Sequence, residues 1–208
     1  MALLIAVDPL NPDPRALAGA VEVLRGGGVV AYPTDTVYGL AADPRRSDAV
    51  RQVFDLKGRR ETSALTLIAA DVEQASEVAM MDATAAALAR RWWPGPLTIV
   101  APAHDGLAPE TLAGGTTIGV RVPRSDVARA IARAFGFCIT ATSANRSGSP
   151  ALADPRMILE ALPHVAAIVD AGAAIGGAPS TIVEVADGQV RLVRDGAVPW
   201  NRVLESQQ

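Results

Sequence analysis

One cysteine, two histidines and an aromatic content of 4% leave this chain short of the groups on which most site chemistries depend. Cys138 has no partner for an internal disulfide, and no Cys/His spacing offers a zinc site. Within its apolar run it reads as a small buried hydrophobe rather than a nucleophile. His104 and His164 fall in loop-like or helix-end contexts without a nucleophile pattern nearby, so a Ser-His-Asp mechanism has no support. Neither Gly-x-x-x-x-Gly-Lys-Ser/Thr nor a strand followed by Gly-x-Gly-x-x-Gly is present, which removes the two commonest phosphate loops. No apolar run approaches the roughly 20 residues of a membrane span. The opening MALLIAVDPLNPDP turns polar at Asp8 and lacks the basic lead of a signal peptide, so a cytoplasmic protein is expected. Lys and Arg number 19 against 22 Asp and Glu, a formal charge of -3, which argues against gripping nucleic acid with the whole surface and leaves room for one basic face.

What is present fits a soluble globular chain: 208 residues, half of them hydrophobic and a fifth charged. We expect one domain over 1–208, with its core at about 10–200 and a tail at 201–208. Apolar strands at 3–7, 29–32, 65–69, 97–101, 117–123, 137–141 and 165–169 alternate with helices. Those helices are introduced by Asp13-Pro14, Ser47 or Asp48, Asp71, Asp82, Ser125 and Asp154-Pro155. The helix from Asp71 is expected to run through Met80. Trp92 and Trp93, before the stiff Pro94-Gly95-Pro96 turn, read as core anchors rather than a base-stacking platform. Residues 180–193 around Asp187-Gly188 read as a hairpin. The pattern predicts an α/β or α+β sandwich with a mixed sheet.

Polar residues gather where strands end. After Val29 to Tyr32, Pro33 should stop ladder pairing, and Thr34, Asp35, Thr36 and Tyr38 then crowd hydroxyls and a carboxylate into five positions. Such groups can also do no more than satisfy their own turn. Lys57, Arg59 and Arg60 gather at a helix C-terminus, where cations complement the macrodipole without any ligand. Arg121 shares a strand face with Gly119 and Thr117, which suits an anion site and equally suits a solvated sheet edge. Thr142-Ser143-Ala144-Asn145-Arg146-Ser147-Gly148 is a second polar segment after a strand, able to cradle anionic oxygen or to form an ordinary turn. Hydroxyls and cations without an obvious general base fit chemistry at a phosphoryl group, governed by positioning and charge.

PTDTVYGL (33–40), Lys57-Gly58-Arg59, WPGPLTIV (93–100), GVRVP (119–123), TSANRSG (142–148), STIVEV (180–185) and Arg194-Asp195-Gly196 stand in the order and spacing of the threonylcarbamoyl-AMP synthase family, the YrdC-type proteins. The chain resembles the short, single-domain form. The resemblance implies an α/β fold with a twisted mixed sheet flanked by helices and a concave basic cavity. It implies a nucleotidyltransferase that makes L-threonylcarbamoyladenylate and pyrophosphate from L-threonine, bicarbonate and ATP with Mg2+. The product would serve modification of adenosine 37 in tRNA through partner proteins that transfer the threonylcarbamoyl group, with at most a weak tRNA contact by this chain.

The resemblance also assigns residues. Lys57, Arg59, Ser143 and Asn145 would hold the ATP phosphates and the adenylate, with Ser63, Thr117 and Arg194 at further nucleotide positions. Lys57 and Arg59 would stabilise charge as pyrophosphate leaves. Thr36, flanked by Thr34 and Tyr38, Arg121 as carboxylate clamp and Ser180 near the carbamate end would receive threonine. No metal ligand is assigned. Where many members continue with proline after Lys57-Gly58-Arg59, this chain reads Arg60-Glu61-Thr62-Ser63. Two other readings stand beside this one: a non-catalytic RNA-binding module using the basic cavity, and a carbamoyl-adenylate enzyme with another acceptor, as in hydrogenase maturation.

Overall fold

The computed structural model describes residues 2–58, 63–174 and 176–206. In chain order the elements are β1 (Leu3–Ala6), α1 (Ala18–Arg25), β2 (Val30–Pro33), β3 (Tyr38–Ala41), α2 (Ser47–Lys57), β4 (Thr66–Ile68), α3 (Val72–Ser76), α4 (Ala83–Trp92) and β5 (Leu97–Pro102). They continue with α5 (Pro109–Leu112), β6 (Thr117–Arg121), α6 (Asp126–Phe135), β7 (Ile139–Ser143), α7 (Pro155–Ala161), β8 (Ala167–Asp170), β9 (Thr181–Ala186), β10 (Gln189–Arg194) and α8 (Trp200–Glu205). The ten strands form one mixed sheet in the order β1-β8-β2-β3-β7-β4-β6-β5-β9-β10. Among the described residues no helix is long and apolar enough to cross a membrane.

Strand β7 joins two halves that are covered differently. Its C-terminal residues pair with β3 (Gly39 opposite Ser143), and Ile139 to Ala141 pair with β4. In the half holding β1, β8, β2 and β3, both faces are covered. Leu17, Val21 and Leu24 of the α1 region and Val127, Ile131 and Phe135 of α6 pack on one side. Val50, Val53 and Phe54 of α2 with Ile158 of α7 pack on the other. In the half holding β4, β6, β5 and β9, Ala75 of α3, Leu88 of α4 and Val203 of α8 cover Leu67, Ile99, Val120 and Val183. The opposite face of that half carries Thr66, Thr98, Arg121 and Ile182, because side chains alternate along each strand. That face is the floor of a cavity.

Several sequence expectations hold. Asp71, Asp82, Ser125 and Asp154 each accept a backbone N–H at the start of α3, α4, α6 and α7. Trp93 is buried and donates through Nε1 to the Leu97 carbonyl at 2.6 Å, and Trp92 packs beside the same core. Cys138 is buried, and desolvation pushes its thiol well above the usual range, so it stays neutral.

Others are corrected. The first helix begins at Ala18 rather than at Asp13-Pro14, because the Asp13 carboxylate and carbonyl turn back onto Arg15 and Ala16 N–H at 2.8 and 3.0 Å. The N-cap of α2 is Arg46, which makes no side-chain cap, and neither Ser47 nor Asp48 takes that place. Helix α3 stops at Ser76 instead of reaching Met80: Ala79 bridges Ala103, and Met80 N–H donates to Pro102 O at 2.8 Å, so the chain is drawn into strand pairing. Pro33 ends β2 at the polar turn as expected, but it is itself paired, opposite Tyr38, so residues 34–37 connect an antiparallel hairpin. The expected strand at 137–141 is shifted, so Thr142 and Ser143 lie in β7. Strand β3 and helices α5 and α8 were not anticipated; α8 occupies most of the segment read as a tail, and Val203 on it is fully buried.

Candidate functional site

The open sheet face, the 34–37 turn and the segment at 177–180 enclose a cavity of about 580 Å³. Of the residues singled out in the sequence, the structure brings together Thr34, Thr36, Tyr38, Arg121, Ser143, Ser180 and Arg194 along its lining. Lys57 and Asn145 lie directly behind Ser143. Thr117 sits at the far end of β6 from Arg121, and Ser63 adjoins the lining residue Ala64; neither lines the cavity itself. Arg59 and Arg60 lie outside the described residues. No Asp, Glu, His, Lys or Cys is among the described lining residues, whereas two arginines are. A concave, electropositive cavity results.

Arg121 is 6% exposed on an interior strand between β4 and β5, which rules out a solvated edge as its reason for being there. Its Nη1 lies 2.9 Å from Asp35 Oδ1. Gly119, two residues earlier, keeps the floor open: a Cβ there would come within 3.2 Å of Thr98 Cγ2. Continuation of the β5–β6 register from Ile99 opposite Val120 places Thr98 beside Arg121, and Thr98 in turn pairs with Ile182.

Arg194 reaches the same face through a β-bulge. Leu192 opposes Val183 and Arg194 opposes Ile182, leaving Val193 as the extra residue. In an unbroken ladder Arg194 would share the side of Leu192 and Val183, toward the core; the bulge turns it to the cavity. There its Nη2 donates to Ser180 O at 2.7 Å and to Ser180 Oγ at 3.2 Å. Partial burial, together with the positive charge of Arg121, lowers the Arg194 guanidinium from its ordinary range. Gly196 has to be glycine for this arrangement, since a Cβ would lie 2.3 Å from the Pro179 carbonyl oxygen.

Ser143 is held from behind. Lys57, 4% exposed, donates from Nζ to Ser143 O, to Asn145 O at 3.1 Å and to Asn145 Oδ1 at 3.3 Å. Ser143 Oγ donates to Asn145 Oδ1, and Asn145 Nδ2 donates to Arg146 O and Ser149 O at 2.9 and 2.6 Å. Ser147 N–H meets Lys57 O at 2.8 Å, tying this loop to the end of α2. The macrodipole account of Lys57 is therefore insufficient, because its ammonium is spent on the 143–149 segment. In the other polar turn the local account does hold for Thr34, whose Oγ1 donates to Val37 O at 2.7 Å and accepts from Thr36 N–H at 3.2 Å. Thr36 Oγ1 meets Thr34 Oγ1 at 3.1 Å and also lines the cavity.

Tyr38 donates to Gly172 O at 2.7 Å, and burial raises its phenol to about 12. It is a fixed donor, never a base near neutrality. The sign for stability follows: a folded pKa above the unfolded value favours the protonated fold, so this contribution is present below pH 10 and lost as pH rises toward 12. Tyr38→Phe is expected to flatten the fall in unfolding free energy between pH 10 and 12, measured by denaturant titration; an unchanged slope would show that Tyr38 carries none of it.

Sequence reading missed Thr98, whose Oγ1 lies 3.0 Å from Ser180 Oγ on the cavity floor. The available signal was a lone hydroxyl within the apolar run Leu97 to Ala101.

Fold and site together define an α/β protein with an arginine-lined cavity on the open face of a mixed sheet and no carboxylate, imidazole, amine or thiol among the described lining residues. The chain belongs to the Sua5/YciO/YrdC family, whose model, described as telomere recombination, matches residues 22–196. A Bacillus subtilis protein named threonylcarbamoyl-AMP synthase is 36% identical over 199 residues, covering 94% of this chain and 58% of that protein. A Thiobacillus denitrificans protein of the same name is 36% identical over 176 residues, covering 84% of this chain and 94% of that one. Among solved structures, P. abyssi Sua5 complexed with L-threonine superposes with a TM-score of 0.92 at 30% identity, covering 99% of this chain and 61% of that chain. The chain thus spans somewhat over half of the Bacillus and P. abyssi proteins and nearly all of the Thiobacillus one.

Proposed function

We propose that this chain is an L-threonylcarbamoyladenylate synthase, a nucleotidyltransferase that converts L-threonine, bicarbonate and ATP into threonylcarbamoyl-AMP and pyrophosphate. The observation that carries this reading is the buried Arg121 guanidinium on the floor of a cavity whose other wall is Ser143, backed by Lys57 and Asn145. One cation suits an amino-acid carboxylate. The second group of donors suits phosphate oxygens.

In this reading Thr36 and Tyr38 line the threonine end, with Thr34 shaping their turn, and Ser180 stands at the carbamate end between Thr98 and Arg194. The threonine amine takes up bicarbonate with loss of water to give a carbamate. A carbamate oxygen then attacks the α-phosphorus of ATP, and the bond to the bridging oxygen breaks as pyrophosphate departs. No side chain need act as base, which agrees with a lining free of titratable groups near neutrality. Lys57 and Ser143, with Asn145 and Arg194, and by family resemblance Arg59, Ser63 and Thr117, would orient the nucleotide and answer the charge on its phosphates. Among the described residues no cluster of His, Cys, Asp or Glu could hold a metal, so Mg2+ is taken as entering with the triphosphate of ATP. We place the protein in the cytoplasm, handing its labile product to partner proteins that modify tRNA.

The test is pyrophosphate release by the purified protein with ATP, Mg2+ and labelled bicarbonate, comparing L-threonine with no amino acid. Threonine-dependent release with label in an adenylate is the expected result. Release that depends on carbamoyl phosphate instead would favour the carbamoyl-adenylate reading. Absence of any release, with salt-sensitive RNA binding, would favour the RNA-binding module.

A further inference from the structure

Asp35 has no part in the roles assigned so far, yet it stands at the one place where the 34–37 turn meets β6. Its Oδ1 lies 2.9 Å from Arg121 Nη1, and its Oδ2 accepts from Arg124 N–H at 3.4 Å. Both Asp35 Oδ1 and Arg121 Nη1 are sealed from solvent without an aligned hydrogen-bond partner among the described residues, so the charge of each is answered by the other. Asp35 does not line the cavity, whereas Arg121 does. Whatever Asp35 does for a ligand, it does through Arg121 and through the turn. Beside it, Ser125 Oγ donates to Pro33 O at 3.0 Å, a second tie between the same two segments that is independent of the carboxylate.

We propose that Asp35 is a positioning residue for amino-acid binding: it occupies one nitrogen of Arg121 and thereby fixes which edge of the guanidinium faces the ligand, while latching the Thr34–Tyr38 turn to the same strand. This rests on the reading of Arg121 as carboxylate clamp. The physical reason is that a guanidinium can present a two-donor edge to a carboxylate only when its plane is set. Arg121 lies two residues from Gly119, which has no side chain to press on the guanidinium; the nearest side chains around that glycine are Thr98, Val100 and Thr66. An ion pair to one nitrogen supplies that constraint and leaves the remaining edge for the substrate. Buried pairs of this kind contribute orientation more than net stability.

The experiment uses the full chain labelled with 15N-arginine, in wild type, Asp35→Ala and Asp35→Asn, with Arg121→Lys to assign the Arg121 signals. In wild type the Arg121 Nη resonances are expected to be distinct, because rotation about Nε–Cζ is restrained. They should average in Asp35→Ala and also in Asp35→Asn, because the contact is held by charge rather than by an aligned hydrogen bond. By calorimetry, Asp35→Ala and Asp35→Asn are each expected to weaken L-threonine binding by about tenfold to a hundredfold, with ATP affinity within about twofold of wild type. Tighter threonine binding by Asp35→Ala would overturn the proposal and make Asp35 a competitor for the clamp. Equal loss of both ligands alongside a lowered thermal midpoint, or Arg121 resonances indifferent to Asp35, would overturn it as well. A wild type that binds no L-threonine sinks the synthase reading, and the Arg121 resonances then decide the latch on their own.

Discussion

Arg121→Ala is expected to lower kcat/KM for L-threonine by about two to four orders of magnitude while leaving the ATP dissociation constant nearly unchanged. The size follows from losing two charge-assisted hydrogen bonds to one carboxylate, each worth about 1.5–3 kcal/mol. Selectivity follows from place: the registers set Arg121 level with Ile68 and Ile139, four residues along β7 from Ser143, and the Ser143–Asn145 cluster should keep the bonds it has. The variant also strands Asp35, a carboxylate only 13% exposed, which costs stability of up to a few kcal/mol. The double variant Arg121→Ala/Asp35→Ala separates the two effects, since it removes the stranded charge without restoring the clamp. Stability should return toward wild type while threonine affinity stays lost. Steady-state pyrophosphate release with each substrate varied in turn, plus thermal unfolding, reads both. Equal damage to threonine and ATP affinity would remove Arg121 from its assigned role.

Lys57→Met should show the complementary pattern, a fall in ATP-dependent turnover of about a hundredfold or more with a clear loss of thermal stability. Methionine keeps most of the apolar stem and deletes the ammonium. Ser143 O, Asn145 O and Asn145 Oδ1 then lose a buried donor, and an orphaned buried acceptor costs about 1–3 kcal/mol. The backbone bond from Ser147 N–H to Lys57 O survives, so the 143–149 segment loosens rather than detaches. Because Ser143 lines the cavity, its displacement reaches the nucleotide directly. Threonine binding measured without ATP should change little. A Lys57→Met protein that keeps full turnover would show that its ammonium serves the loop alone.

The two variants probe a site that was partly legible from sequence. Local features were readable because their cause lies within three residues: the Asp71, Asp82, Ser125 and Asp154 caps each act on a nearby N–H. The polar segments at 34–38 and 142–148 stood out by composition, and both do meet at one cavity, although Ser143 and Asn145 needed Lys57 behind them to acquire a purpose. Non-local features were not readable. Strand β3 is short and begins with Tyr38, so it looked like part of a turn until Pro33 was seen paired opposite it. Arg121 was undecided between clamp and edge because strand order is not written in any one strand; its interior position rules out the edge. Thr98 needed Ser180 brought beside it from a distant segment. Arg59 lies outside the described residues, and its role is an assignment by resemblance.

The extra residue at Val193 has an evolutionary corollary. A strand that carries one surplus position holds slack: a chain shorter by one residue anywhere between the Asp187-Gly188 turn and Arg194 can pull the bulge flat and still deliver the arginine opposite Ile182. A chain longer by one has no such reserve and must find room for a second irregularity. The arginine is the fixed point from which this strand is measured.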